Sequence, residues 1–265
     1  MGEQEVGNEM PQENLDRGEH EPIWAAPFER LQIKDVPGGA RTINVNNRMV
    51  ASPLQGFGPM WQRNYRVRLS GVKATPSEVV KDWKLNFAVF QPPENHFYPS
   101  LAGVKAGEFV FIESTLPLFP GSPGIIPMKS GVVVLYCDET AFTVMTPEGF
   151  PISGWNTFSA YEEDGTVVAQ VQGLIRTSDP IYEFGFRYMG GEAVEDKIWF
   201  HVLRTLAAHW GIKGQIQFHK VLIDPDIQWK NFRNVWKNAA IRSFFYLIAT
   251  PFRWMVNLFR PKSSV

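Results

Sequence analysis

The clearest pattern along the chain is a series of period-two segments between Gly107 and Ser178. Glu108 to Ser114, Gly131–Cys137, Ala141–Thr146, Ile152–Tyr161 and Thr166–Thr177 each read as a strand. Asp138-Glu139-Thr140, Pro147-Glu148-Gly149 and Glu162-Glu163-Asp164-Gly165 separate the last four. Connections this short join antiparallel neighbours, so the pattern predicts a meander. A loop rich in proline and glycine, from Pro117 to Pro127, follows the first of the five. A further strand is expected over Asn64–Leu69, with Tyr65, Val67 and Leu69 on one face and Arg66 and Arg68 on the other, solvated one.

Two segments switch to helical period. Thr75-Pro76-Ser77-Glu78 offers a cap, a first-position proline and the glutamate of a capping box, which predicts a helix to about Phe87. Val194, Ile198, Val202, Leu206 and Trp210 recur at helical spacing, joined by Trp199, Leu203 and Ala207, and Gly211 supplies a stop. That predicts a long helix over about 193–210. A third helix is expected to open at Asp224-Pro225-Asp226, with Trp229, Phe232, Trp236, Ala239, Ala240, Phe244 and Leu247 as its stripe and Lys230, Arg233, Asn234, Lys237 and Asn238 opposite.

Outside these elements, residues 23–60 read as an irregular arm with a short hairpin, Thr42–Val45 and Arg48–Val50 around Asn46-Asn47. Residues 1–22 hold seven acidic residues against Arg17 and read as a solvated, disordered acidic tail with no signal peptide. The domain plan is thus 1–22 tail, 23–60 arm, 61–212 core and 213–265 basic amphipathic extension.

The order strand, helix, five strands, long helix predicts an α+β fold in which the long helix covers the apolar face of an antiparallel sheet. This order resembles the START-like helix-grip proteins, the SRPBCC group that includes polyketide cyclases and lipid-transport proteins. Gly131-Val-Val-Val-Leu-Tyr136, Met145-Thr-Pro-Glu-Gly149 and Gly154-Trp-Asn-Thr-Phe-Ser159 are similar to a bacterial branch of that group. The resemblance covers roughly residues 61–212 and implies a curved sheet around the C-terminal helix with an apolar ligand cavity between them.

Composition narrows the chemistry. An apolar content of 44% and a charged content of 20% suit a folded chain of 265 residues, and the net charge of −1 offers no basic groove for nucleic acid. Cys137 is the only cysteine, which excludes an internal disulfide and a multi-cysteine zinc site and fits a cytosolic compartment. His201 and His209, eight residues apart on one helix, would lie about 12 Å apart, too far to chelate one ion. No metal or cofactor is expected. Neither a nucleophile elbow nor a phosphate loop occurs, so catalysis by a cyclase- or hydrolase-type enzyme is implied only by the resemblance.

Two candidate sites follow. If the sheet and helix enclose a cavity, Val167, Ala169, Val171 and Gly173 would face Ile198, Trp199, His201 and Val202 around a hydrophobic, lipid-like molecule; the alternative is an ordinary packed core. The second site is the tail, which has no acidic residue after Asp226. Trp229, Lys230, Arg233, Trp236, Lys237, Arg242, Phe244, Trp254 and Arg260 combine interfacial aromatics with cations, which suits an anionic membrane surface and a peripheral membrane location. The same stripe would serve a helix docked on the protein's own surface, or a homo-oligomer formed through the tail. A structural adaptor would have no cavity at all.

Overall fold

The computed structural model describes residues 23–33, 35–98, 103–117, 122 and 124–258, with the backbone alone for 250–258. The expected acidic segment 1–22 and Arg260 lie outside the described residues, as does the side chain of Trp254.

Eight strands form one antiparallel sheet: β1 Met60–Arg68, β2 Asn95–Tyr98, β3 Phe109–Pro117, β4 Gly124–Cys137, β5 Ala141–Met145, β6 Ile152–Glu163, β7 Thr166–Thr177 and β8 Ile216–Asp224, in the spatial order β2-β3-β4-β5-β6-β7-β1-β8. Four α-helices accompany them: α1 Pro76–Leu85, α2 Pro180–Tyr188, α3 Gly191–His209 and α4 Ala239–Leu258. The meander is continuous from β2 to β7, and β1 returns beside β7 with Tyr65 opposite Val171 and Val67 opposite Ala169. α1 and α3 lie on one face of this sheet. The fold is a helix-grip.

Local chemistry sets the helix ends. The Thr75 hydroxyl accepts from the Glu78 N–H at 3.3 Å while Glu78 accepts from the Thr75 N–H at 2.7 Å, the reciprocal capping box that starts α1. Gly211, at φ +77°, ends the α3 region in the left-handed conformation glycine adopts freely. Asp179 caps α2, its Oδ1 accepting from Ile181 and Tyr182, and Pro180 takes the first position.

Several expectations need correction. The sheet has eight strands rather than six, because β2 pairs outside β3 and β8 pairs outside β1. β4 starts at Gly124, so most of the second half of the expected proline-rich loop is strand. Thr42–Arg48 is a compact turn, not a hairpin: Val45 and Asn46 donate to Thr42, and the arm pairs instead with itself at Leu31 and Arg48. The Asp224-Pro225-Asp226 cap does not open a helix. Asp224 ends β8, where its carboxylate is held by Arg176, and the chain passes through a 3-10 segment, Trp229–Lys237, before α4 begins after Asn238.

Helices cover the inner face of the sheet, and the arm covers part of the outer one. On the inner face, Tyr65, Val67, Val79, Trp83, Ala169, Val171, Leu203 and Leu206 belong to one core shared by the sheet, α1 and α3. On the outer face, Phe109, Phe111, Val133 and Met145 pack with Leu31 and Val45, so the arm is a second layer on β3–β5. Arg66 and Arg68, on the strand face expected to be solvated, pair with Glu163 across the sheet at 2.7 and 2.5 Å.

Candidate functional site

The space under the sheet is filled at one end and hollow at the other. Between β2–β6 and the N-terminal half of α3 lies a cavity of about 800 Å³. Its floor is built by strand alternation: Ile112 and Ser114 of β3, Ile126, Met128 and Val132 of β4, Val144 of β5, Ile152, Asn156 and Phe158 of β6. Its roof follows helical spacing: Gly191, Val194, Glu195, Ile198 and Trp199 of α3. α2 contributes Ile181, Tyr182, Phe184 and Phe186, and α4 contributes Ala240, Ile241, Phe244 and Phe245. Phe158 forms the partition between cavity and core. It stacks on Phe142 at 4.7 Å and meets Phe87, Trp83 and Trp199 edge-on at 5.2, 5.4 and 5.6 Å.

Of the eight residues expected to bind ligand, Ile198 and Trp199 line this cavity. Val167, Ala169, Val171 and Val202 are buried in the filled end, where α1 and the C-terminal half of α3 press on β7 and β1. A side chain at Gly173 would meet Asn156 Oδ1 at 2.3 Å, so that glycine admits the asparagine of the neighbouring strand. His201 is half-buried and does not line the cavity. The cavity wall is therefore β3–β6 rather than β7. The reason is α1: its Val79, Val80 and Trp83 occupy the space that small residues on β7 leave open.

The polar lining was not singled out from the sequence. Glu195 is 8% exposed and sits in the roof, with Arg63 Nη1 3.1 Å from its Oε2. Burial pushes its carboxyl above the usual range against the opposing pull of Arg63, and Asp196 adds to the rise. The signal was present in the chain: Glu195 interrupts an apolar helical face shared with Trp199, Val202 and Leu206. Asn156 likewise interrupts the apolar alternation of β6.

The tail belongs to the cavity wall. Asn231 donates to Gly56 O at 2.7 Å, Asn234 to Gln55 O and Ser178 O at 2.8 and 2.9 Å, and Asn238 to Asp179 Oδ2 at 2.8 Å. Buried Asn44 of the arm donates to Lys129 O, Ser243 Oγ and Ala239 O at 2.7, 3.0 and 3.1 Å, tying arm, β4 and α4 together. Asn234 and Asn238, expected on the solvated side, thus make the docking face. The aromatics of this segment keep much of their surface free: Trp229, Trp236 and Phe245 are 68%, 79% and 64% exposed, although Trp229 meets buried Phe57 edge-on at 5.4 Å. Lys230, Arg233 and Arg242 are exposed near them, while Lys237 pairs with Glu148. Phe244 is divided, half-exposed at the rim and half in the cavity. Among the described residues, no helix is long and apolar enough to cross a membrane.

No protein-family profile and no curated protein matches the chain. Solved structures of similar outline include a protein from Mycobacterium smegmatis, at TM-score 0.38 and 15% identity over 56% of this chain and 92% of that one. Others are the di-domain ARO/CYC StfQ from the steffimycin biosynthetic pathway (0.43, 11%, 58% and 53%) and the Panax ginseng major latex-like protein 151 (0.36, 12%, 57% and 98%). At such identities the likeness concerns the fold alone.

Proposed function

We propose that the protein binds and carries a hydrophobic, lipid-like small molecule in the cavity beneath β3–β6, and does so at an anionic membrane surface. The observation that carries this reading is a large apolar cavity whose wall is itself partly exposed. About 800 Å³ of largely apolar space lies against α2 and α4, and Ile181, Phe184, Phe244 and Phe245 line it while remaining about half exposed or more. That volume is within the range of sites for a single small ligand, and is too large for packed side chains to have left by chance. The exposed cations of the same tail, Lys230, Arg233 and Arg242, complement anionic headgroups.

A carrier fits the lining better than a cyclase- or hydrolase-type enzyme. Glu195 and Tyr182 are the titratable groups among the described lining residues, and the Tyr182 hydroxyl is engaged by the Ala240 N–H at 3.1 Å. No nucleophile and base converge there.

Native mass spectrometry of the purified chain should detect a retained apolar molecule, and flotation should detect binding to phosphatidylserine vesicles. Each basic residue near the surface contributes about 1 kcal/mol, screened by salt, so binding will weaken but persist as salt rises. Alanine at Trp236, whose ring is 79% exposed, should reduce the salt-resistant part without disturbing the fold, whereas Trp229 also packs edge-on against buried Phe57. Point substitution is the right instrument, because truncation at Asp226 would remove a wall of the cavity. A chain that ignores vesicles and elutes as a dimer would replace the membrane with a second copy.

A further inference from the structure

Glu195 is the feature that a purely apolar ligand leaves unexplained. It lies on the cavity face of α3, and more than nine-tenths of its surface is withdrawn from solvent. Arg63 is the nearest cation, but its hydrogen bonds go to other acids: Nη1 donates to Asp196 Oδ1 and Nη2 to Glu192 Oε1, both at 3.0 Å, while its buried Nε–H has no partner. Tyr65 also donates to Asp196, and Lys220 reaches Glu192. Glu195 Oε2 lies 3.1 Å from Arg63 Nη1 yet accepts no hydrogen bond from the protein. No other protein donor reaches Oε2, which keeps its acceptor capacity open. A buried acceptor without a donor is costly, and native proteins resolve nearly all of them. Here the surrounding surface is carbon: Val194, Ile198 and Phe186 line the cavity beside it.

We propose that Glu195 is the polar anchor of the cavity, and that the ligand is an apolar molecule carrying one hydrogen-bond donor, a hydroxyl or an amine N–H, which meets Glu195 Oε2. The proposal rests on the cavity reading above and specifies its ligand class. The acidic partners of Arg63 then have a second use. By accepting from both terminal nitrogens, Glu192 and Asp196 draw those donors away from Glu195, so the anchor attracts donors and disfavours ligands that present only a carbonyl or an ether oxygen.

Displacement of the fluorophore Nile red from the full chain tests this with a matched pair, dodecanol and dodecyl methyl ether. At alkaline pH, where the carboxyl is ionised despite its burial, a hydrogen bond to it corresponds to about tenfold in affinity or more, so dodecanol should displace the dye at about one-tenth of the ether's concentration. Glu195→Met should bring the two competitors within about twofold of each other while still binding Nile red. In Glu195→Gln, which keeps an acceptor oxygen without the charge, the alcohol should retain part of its advantage. Equal displacement by alcohol and ether in the unmodified chain, or preference for dodecanal over dodecanol, would overturn the anchor. Persistence of the full alcohol preference in Glu195→Met would overturn it as well. Failure of Nile red to bind at all would overturn the cavity reading, and this inference with it; binding without alcohol preference would overturn this inference alone.

Discussion

One helix spans two interiors. The C-terminal half of α3 presents Val202, Leu203, Leu206 and Ala207 to β1, β7 and α1, and every one of them is completely buried. Its N-terminal half presents Val194, Glu195, Ile198 and Trp199 to β3–β6, across open space. The sheet alternates in the same way above both. The difference comes from what else reaches each end. α1 brings Trp83 and Val80 into the first, while α2 and α4 stand over the second like walls and do not fill it. Packing at one end secures the fold, and its absence at the other leaves room for a ligand.

The sharpest way to break that comparison is to remove volume from both ends. Leu206→Ala in the filled end should cost about 2–5 kcal/mol, because the surroundings collapse only partly into the new void. Ile198→Ala should cost clearly less, since that side chain already faces space. Urea denaturation of the two variants gives the ratio, and equal losses would mean the cavity is not open in solution.

Adding volume should give the same ordering with a smaller effect. Ala169→Leu overpacks the contact of β7 with α1 and α3 and should cost about 1–3 kcal/mol. Val132→Leu points its extra carbon into the cavity, so stability should change little while the capacity for an apolar dye falls.

The smallest effect concerns the hollow end's framework. Asp179 caps α2 and holds Asn238 just before α4, so one carboxylate ties together two walls of the cavity. Burial raises its pKa, against the hydrogen bonds from Tyr182, Asn238 and Ile181 that favour the charged form. A carboxyl whose folded pKa is raised adds stability below its unfolded pKa and loses that contribution as pH rises through the folded value. Asp179→Asn cannot titrate, so relative to the unmodified chain it should gain as pH rises from about 4 toward neutrality. A pH-independent loss from the disturbed Asn238 contact will be superimposed. Denaturation midpoints across that range would show the slope, and a flat difference would locate the effect elsewhere.

How much of this was legible beforehand differs between elements for physical reasons. Thr75-Pro76-Ser77-Glu78 and the alternation of Thr166–Thr177 were readable because each acts within a few residues of itself. The outer layer was not read, although the unbroken Val132-Val133-Val134-Leu135 run is what a strand buried on both faces looks like. The docking face of the tail is not legible from its pattern. Apolar periodicity ordinarily marks the docked side, but Asn231, Asn234 and Asn238 dock by donating to carbonyls and a carboxylate more than fifty positions away in sequence.

The sequence by itself determined the antiparallel meander, the two helices on its inner face and the basic, aromatic character of the chain's end, because short turns, caps and periodicities are local rules. Only the tertiary structure decided where the interior is hollow. Whether Val171 or Val144 faces empty space depends on which helix lies opposite, and α1 and α4 reach those strands from distant parts of the chain. The same holds for Glu195, whose open oxygen follows from how Arg63 of β1 is shared among three acids of α3, a contact between elements distant in sequence that no local pattern encodes.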